Sequence, residues 1–186
     1  ALQNLLLGSE HPEAFITLTI DQPTKESEWD KGHNNWHLKN INKDNNVNNL
    51  GTFCISLKKK SRYAHQFLAL CFGTFGPSYK NSRAWGIVDK GLPGESIIFD
   101  GYLTEFGRSQ KALMSVHEDE RSAALYEGMV FKQGDAGFLI CTKYYPDEYF
   151  LNPIGIVVSG LDILCKATCH EPINDIVISD IGLIVD

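Results

Sequence analysis

The sequence predicts an all-β fold, a mainly antiparallel barrel or sandwich with a few short helices. Short apolar, β-branched runs recur along the chain, and clusters of turn-forming residues separate them. Hydrophobic residues make up 43% of the chain and charged residues 22%, a balance that supports a buried core. Alternating long strands and helices, the signature of a parallel α/β sheet, are not evident. We therefore expect residues 1–186 to form a single globular β domain cut from a longer polypeptide.

The strand predictions follow the apolar runs in chain order. Residues 14–20 and 52–57 alternate or carry β-branched side chains, and each run ends in turn or charged residues. Residues 66–72 (QFLALCF) are apolar on both faces, as in a central strand. Further strands are predicted at residues 96–103, 110–117, 129–132, 137–143, 154–158, 161–165 and 175–185. The best helix candidate is 118–126, where acidic residues come first and helix propensity is highest.

Composition excludes several classes of partner. The formal net charge is -6, whereas nucleic-acid binding needs clustered Lys and Arg for phosphate contacts, so no nucleic acid is expected. No apolar run approaches the roughly 20 residues that span a bilayer, so membrane insertion is not expected. The five cysteines are odd in number and mostly lie in apolar runs, and the chain has no Asn-x-Ser/Thr sequon. We therefore expect synthesis in a reducing compartment, with Cys71 and Cys141 buried as thiols.

Two histidine- or cysteine-containing clusters are candidates for a catalytic or metal site. His33 and His37 have a spacing of four, but HNNWH lacks the Glu of a zinc-protease motif and is a poor helix. Cys165, Cys169 and His170 form CKATCH, which lacks a fourth zinc ligand. Nucleophile-elbow, phosphate-loop and dinucleotide motifs do not occur. The sequence therefore predicts no enzyme, no metal and no cofactor, and a Cys/His hydrolase remains an alternative.

Two surface segments are predicted to bind a partner. An aromatic loop follows the strand at 137–143, and tyrosine rings suit recognition of sugars or protein surfaces. A basic run follows the strand at 52–57 and would suit an acidic glycan. Each segment also has a purely structural explanation. The aromatic rings of the loop would pack over the sheet, and the lysines of the basic run would be solvated at the end of a strand. The candidate receptor-binding residues are Tyr144, Tyr145, Tyr149, Phe150, Lys58 and Lys60.

The arrangement of strands along the chain and two sequence runs resemble those of a known protein family. The strand-rich body, the run MVFKQGDAGFLICTKYYPDEYF and the closing DIVISDIGLIVD resemble the spike, or projection, domain of astrovirus capsid proteins, closer to the avian than the human type. The resemblance implies a β domain at the virion surface, made in the host cytoplasm and joined to the rest of the capsid. It also implies a homodimer that attaches to a host cell-surface receptor, protein or glycan, and has no enzymatic activity.

A second hypothesis assigns the chain to a non-viral protein. A carbohydrate-binding or adhesion module of a non-viral protein would share the β fold and the exposed aromatics, and it predicts a sugar pocket lined by Trp29, Trp36 or Tyr149. The hydrolase alternative instead predicts a histidine within hydrogen-bonding reach of an exposed cysteine.

Overall fold

The computed structural model describes residues 12–22, 48–115, 124–147 and 152–184. The described strands are β1 (Glu13–Ile20), β2 (Asn48–Leu57), β3 (Gly86–Val88), β4 (Ser96–Phe99), β5 (Tyr102–Thr104), β6 (Gly107–Ser109), β7 (Met129–Gln133), β8 (Gly137–Cys141), β9 (Pro153–Ser159) and β10 (Ile176–Ile184). Two α-helices, α1 (Arg62–Phe72) and α2 (Leu161–Thr168), and a 3-10 turn (Ile173–Asp175) join them. The predicted all-β, mainly antiparallel fold is confirmed.

Eight strands form one antiparallel sheet in the order β10-β1-β2-β9-β7-β8-β4-β3, and β5 and β6 form a separate hairpin. The segment just before β3 pairs with β10, because the Asn81 N–H donates to the Ile178 carbonyl at 2.7 Å and the Ala84 N–H donates to the Ile176 carbonyl at 2.9 Å. β3 itself pairs with β4. Residues 81–88, which we call the closing strand, therefore join the two edges of the sheet into a barrel.

The barrel interior is filled by alternate side chains of its strands. On β1, Ala14, Ile16 and Leu18 are fully buried, as the period of two requires when one face of a strand points inward. An aromatic group lies at the centre of this core, with ring centroids 5.0–5.6 Å apart: Phe67, Tyr79, Phe99 and Phe138. Edge-to-face and stacked rings at such distances add to the stability given by their burial.

The predicted strand at 66–72 is wrong, because these residues belong to helix α1. Ser61 caps the helix by accepting a hydrogen bond from the Ala64 N–H, and Gly73 ends it in the left-handed conformation (φ 64°). Burial all round the helix produces the same two-sided apolarity as a central strand. Buried Gln66 fixes the helix by donating to the Asp135 carbonyl at 2.9 Å and accepting from the Leu113 N–H at 2.9 Å.

The predicted strand at 161–165 is also wrong, because helix α2 occupies these residues. Gly160 (φ 79°) ends β9 and lies so close to β2 that a Cβ there would come within 2.8 Å of the Phe53 Cα. The helix then packs its Leu164 side onto the core, with Ile163 against Gly51 at the start of β2. Helix α1, by contrast, follows the end of β2, so the two helices lie toward opposite ends of the barrel.

Other boundary predictions changed less. The strand predicted at 96–103 is divided into β4 and β5 by Asp100 and Gly101, and 110–115 contains no strand. Residues 118–123 of the predicted helix lie outside the described residues, and 124–126 are not helical. The strands predicted at 14–20, 52–57, 129–132, 137–143, 154–158 and 175–185 correspond to β1, β2, β7, β8, β9 and β10. Cys71 and Cys141 are buried, as predicted.

The aromatic core predicts a large loss of stability from one truncation. Phe138 is fully buried and contacts the other three rings, so Phe138→Ala should lower the free energy of unfolding by about 3–5 kcal/mol. Phe106→Ala is the matched control, because Phe106 is 92% exposed and its truncation should change stability by less than about 0.5 kcal/mol. Denaturant unfolding of the two variants measures the difference, and equal losses would contradict the assigned core.

Candidate functional site

A cleft on the described surface surrounds the exposed Trp85. The cleft has a volume of about 660 Å³, within the range of small-molecule sites. Its floor is formed by residues 81–85 of the closing strand, and its sides are the segment 172–174 before β10 and residues of the stretch 100–108, which overlaps the β5–β6 hairpin. We call it the Trp85 cleft.

Alternation along the closing strand explains how Trp85 reaches the surface. Ser82 and Ala84 are buried, whereas Arg83 and Trp85 point outward. The Trp85 side chain is 59% exposed. Main-chain hydrogen bonds anchor the strand that carries it. A large aromatic ring is therefore exposed to solvent on a rigid strand.

Arg83 ties the floor of the cleft to one side. Its Nη1 donates to the carbonyls of Asp21 and Asn174, each at 3.0 Å, and its Nη2 donates to Asp21 Oδ2 at 2.6 Å. The guanidinium thus joins the closing strand, the end of β1 and the segment before β10. Arg83 is half-exposed, so this arrangement fixes geometry more than it adds stability.

The opposite side is held by a second arginine–aspartate pair. Arg108 Nε donates to the Asp100 carbonyl and Nη2 donates to Asp100 Oδ2, both at 2.8 Å, and Gln110 Nε2 also donates to that carboxylate. Gly101 (φ 113°) allows the hairpin to fold back, because a Cβ there would lie 2.4 Å from the Ser109 carbonyl oxygen. Each arginine in the cleft therefore has its own carboxylate partner.

A further depression adjoins the cleft and shares Pro172 and Ile173 with it. It has a volume of about 510 Å³, and Ile87 of the closing strand contributes to its lining. Lys90 and Glu171 form an ion pair there, and the hydrogen bond and charge of Lys90 lower the pKa of the Glu171 carboxyl. The outer face of the closing strand therefore borders both concave surfaces.

The predicted aromatic loop is described only as far as residue 147. Tyr144 is exposed and stacks on Tyr126, with ring centroids 5.2 Å apart and planes at 28°. Tyr145 is half-buried, and it packs on Gly94 while its main chain pairs with Leu125. Tyr149 and Phe150 lie outside the described residues. Tyr144 of this loop and Tyr126 of the segment before β7, which we call the tyrosine pair, thus form an exposed aromatic surface.

Buried Glu95 supports the tyrosine loop. Its carboxylate accepts hydrogen bonds from the Gly91 N–H at 2.7 Å, the Thr142 hydroxyl at 2.8 Å and the Lys143 ammonium at 3.2 Å. Burial alone would raise the pKa of Glu95, but these hydrogen bonds and the charge of Lys143 together lower it below its usual value. The ionised carboxylate therefore holds the start of the loop against the turn before β4.

The predicted lysines lie far from the tyrosines in the barrel. Lys58 and Lys60 are exposed, and the Lys58 N–H donates to the Ile154 carbonyl at the start of β9. β9 begins beside the end of β7, and antiparallel β8 begins at that same end. Tyr144 follows the end of β8, so the two predicted binding segments lie at opposite ends of the barrel. The structure does not bring them into one site.

The cysteine–histidine cluster lies on α2 and in the turn after it, where Cys165 and Cys169 are both exposed. Cys165 lies on the exposed side of α2, and partial burial raises its pKa, whereas a nucleophilic thiol needs a lowered pKa. Burial likewise raises the pKa of Cys141 to about 11. His170 Nε2 lies 3.1 Å from Asp175 Oδ2, which orients the ring through one of its two nitrogens. His33 and His37 lie outside the described residues.

The described part of the chain holds no metal cluster. Residues 12–22, 48–115, 124–147 and 152–184 contain no group of three His, Cys, Asp or Glu side chains placed to hold a metal ion. In the same ranges, neither helix has the length and apolar character needed to cross a membrane. No family model matches the chain, and no curated protein matches it.

Sequence reasoning missed the residues of the Trp85 cleft. A signal was present, because in NSRAWGI the small residues Ser82, Ala84 and Gly86 alternate with the large Arg83 and Trp85. Such alternation predicts a strand with its large side chains on one face. The pairing partners that place this strand on the barrel wall, β4 and β10, are not visible in the local sequence.

The Glu95 network predicts a pH-dependent loss of stability. Because the folded-state pKa of Glu95 is lower than its unfolded value of about 4.3, the ionised group stabilises the fold at neutral pH. This contribution is lost as the pH falls through the folded-state pKa. Glu95→Gln should cost about 1.5–3 kcal/mol at pH 7, and the difference from wild type should shrink at low pH. Exposed Glu105→Gln is the control, and a Glu95→Gln deficit that is constant with pH would contradict the assignment.

Proposed function

We propose that this domain is the surface projection of a non-enveloped virus capsid, and that it attaches the particle to host cells as a homodimer. The observation that carries the proposal is the exposure of aromatic side chains in two places, Trp85 (59% exposed) on the barrel wall and the tyrosine pair, Tyr126 (54%) and Tyr144 (47%), in its loops. Trp and Tyr combine a large apolar area with a polar tip and are enriched at recognition surfaces. The resemblance to astrovirus spikes supports the same function.

The architecture suits a domain displayed in many copies. A sheet that closes on itself leaves no free edge along the closing strand, and free edges are the usual route to strand-to-strand aggregation. Recognition then depends on side chains of the outer wall and on the loops. The Trp85 cleft and the tyrosine pair are such surfaces.

The outer face of β10, β1, β2 and β9 is the surface we assign to the dimer. Its register places rows of outward residues side by side, and Phe15 lies between Cys54 and Gly182. Ile156, Val158 and Ile184 are 45%, 52% and 40% exposed. Such a face is broad enough to contribute to the roughly 1,200–2,000 Å² that a stable pair buries in total.

A non-viral carbohydrate-binding or adhesion module is the second candidate, and the Trp85 cleft favours it equally. The two candidates differ in what precedes the domain in its full polypeptide. A capsid protein would carry a basic region and a shell-like β domain, and an adhesion protein would not. For the hydrolase alternative, burial raises the pKa values of Cys71, Cys141 and Cys165, which opposes thiolate formation at these three cysteines.

Cell binding tests the attachment function. Fluorescently labelled domain should bind cultured host cells, and Trp85→Ala should reduce that binding at least tenfold without loss of the fold. The double variant Tyr126→Ala/Tyr144→Ala tests the second aromatic surface. Tyr145 is a poor choice for this purpose, because its packing on Gly94 makes truncation destabilising. Phe75→Ala is the control, since Phe75 is 64% exposed and lies in the turn after α1. Wild-type binding by both aromatic variants would refute the assigned surfaces.

Light scattering across a dilution series tests the dimer. The wild-type domain should have twice the chain mass, and Val158→Asp should give a monomer, because a desolvated carboxylate is costly in an apolar interface. Leu92→Asp is the matched control, since Leu92 is 59% exposed on a turn away from this face and should leave the dimer intact. A wild-type monomer at high concentration, or a dimeric Val158→Asp variant, would contradict the assignment.

A further inference from the structure

We infer that the Trp85 cleft binds uncharged carbohydrate; this inference rests on the proposed attachment function and names the class of ligand that the site takes. A sugar ring has an apolar face of C–H groups and a rim of hydroxyls. The cleft offers the complement of both, an exposed indole ring on its floor and planar polar side chains around it.

The indole supplies the apolar half of the match. Trp85 is 59% exposed and is fixed on the closing strand, where the Trp85 N–H donates to the Ile98 carbonyl at 2.8 Å. A rigid aromatic ring with two side-chain torsions loses little conformational entropy on binding. Pro172 and Ile173 add apolar surface at one side of the cleft. A flat C–H face can therefore stack there and displace water from both partners.

The rim supplies the polar half. Asn81, Asn174, Asp100 and the two arginines line the cleft, and together they present amide and guanidinium donors beside carbonyl and carboxylate acceptors. A guanidinium has five N–H groups. The hydrogen bonds described above use three of them on Arg83 and two on Arg108. Donors thus remain for sugar hydroxyls after the framework of the cleft has been built.

Charge selects an uncharged sugar over an acidic one. Each arginine is matched by a carboxylate, Arg83 by Asp21 at 2.6 Å and Arg108 by Asp100 at 2.8 Å. An acidic sugar would have to compete with these aspartates for the guanidinium groups. The chain as a whole carries a formal charge of -6, which adds repulsion at long range. Hydroxyl groups avoid both costs.

The side chains of the cleft are preorganised for this task. Arg83 is held by two main-chain carbonyls and one carboxylate, and Asp100 is held by Arg108 and Gln110. Ligand binding therefore does not have to immobilise long, free side chains, a cost of about 0.5–1.5 kcal/mol for each one. A weakly binding sugar gains most from a site of this kind.

The experiment presents the domain with an array of neutral oligosaccharides, each beside its sialylated or sulfated counterpart. Neutral glycans should bind, and each acidic counterpart should bind more weakly when the added group lies at the contacted sugar. Trp85→Ala should weaken binding at least tenfold, Trp85→Phe should retain part of it, and Phe75→Ala should bind like wild type. Because the ligand is uncharged, raising the salt concentration should change the affinity less than twofold. Binding to acidic glycans alone, or equal binding by Trp85→Ala, would overturn the inference.

Treatment of cells separates this inference from the proposed function. Periodate oxidation of cell-surface sugars should abolish attachment, whereas protease treatment should leave glycolipid-dependent attachment in place. If protease and Trp85→Ala abolish attachment while periodate does not, the receptor is a protein, so the carbohydrate inference fails and the attachment function stands. If the domain binds no cells but binds neutral glycans through Trp85, the attachment function fails and the carbohydrate site stands.

Discussion

Closure of the sheet by residues 81–88 is the constraint on which the rest of the structure depends. One half of this strand bonds to β10 and the other half bonds to β4, so the first and last parts of the barrel meet across it. Because every barrel strand is then paired on both sides, the inward side chains are enclosed and the aromatic core around Phe138 can be buried completely. The two helices, α1 and α2, lie toward opposite ends of the enclosed barrel.

The same strand carries the surface that we propose for recognition. Its inward positions carry the small Ser82 and Ala84, which allow close approach to the core, and its outward positions carry Arg83 and Trp85. A strand that is fixed on both sides cannot move away from its neighbours, so the exposed indole is held on a rigid support. The buried core and the proposed recognition surface thus use opposite faces of one segment.

Ion pairs fix the local geometry of the surface, although the chain as a whole keeps a formal net charge of -6. Arg83 pairs with Asp21, Arg108 with Asp100 and Lys143 with Glu95, and each pair joins segments distant in sequence or fixes a turn. The Arg83–Asp21 pair is exposed on both partners, and such pairs contribute little free energy, typically about 0–1 kcal/mol, whereas Glu95 is buried. All three pairs also act on geometry, because they hold the two sides of the Trp85 cleft and the start of the tyrosine loop in place. The cleft is consequently close to neutral on a negatively charged domain.

The sequence by itself determined the fold class, most strand positions and the burial of Cys71 and Cys141, because alternating or β-branched runs report burial through local composition. It did not separate helix from strand at 66–72 or 161–165, since a run buried on all sides has no informative period. The tertiary structure decided that the predicted lysines and tyrosines lie at opposite ends of the barrel. It also decided that Trp85 forms a cleft, because that depends on hydrogen bonds between the closing strand and β10, which is distant along the chain.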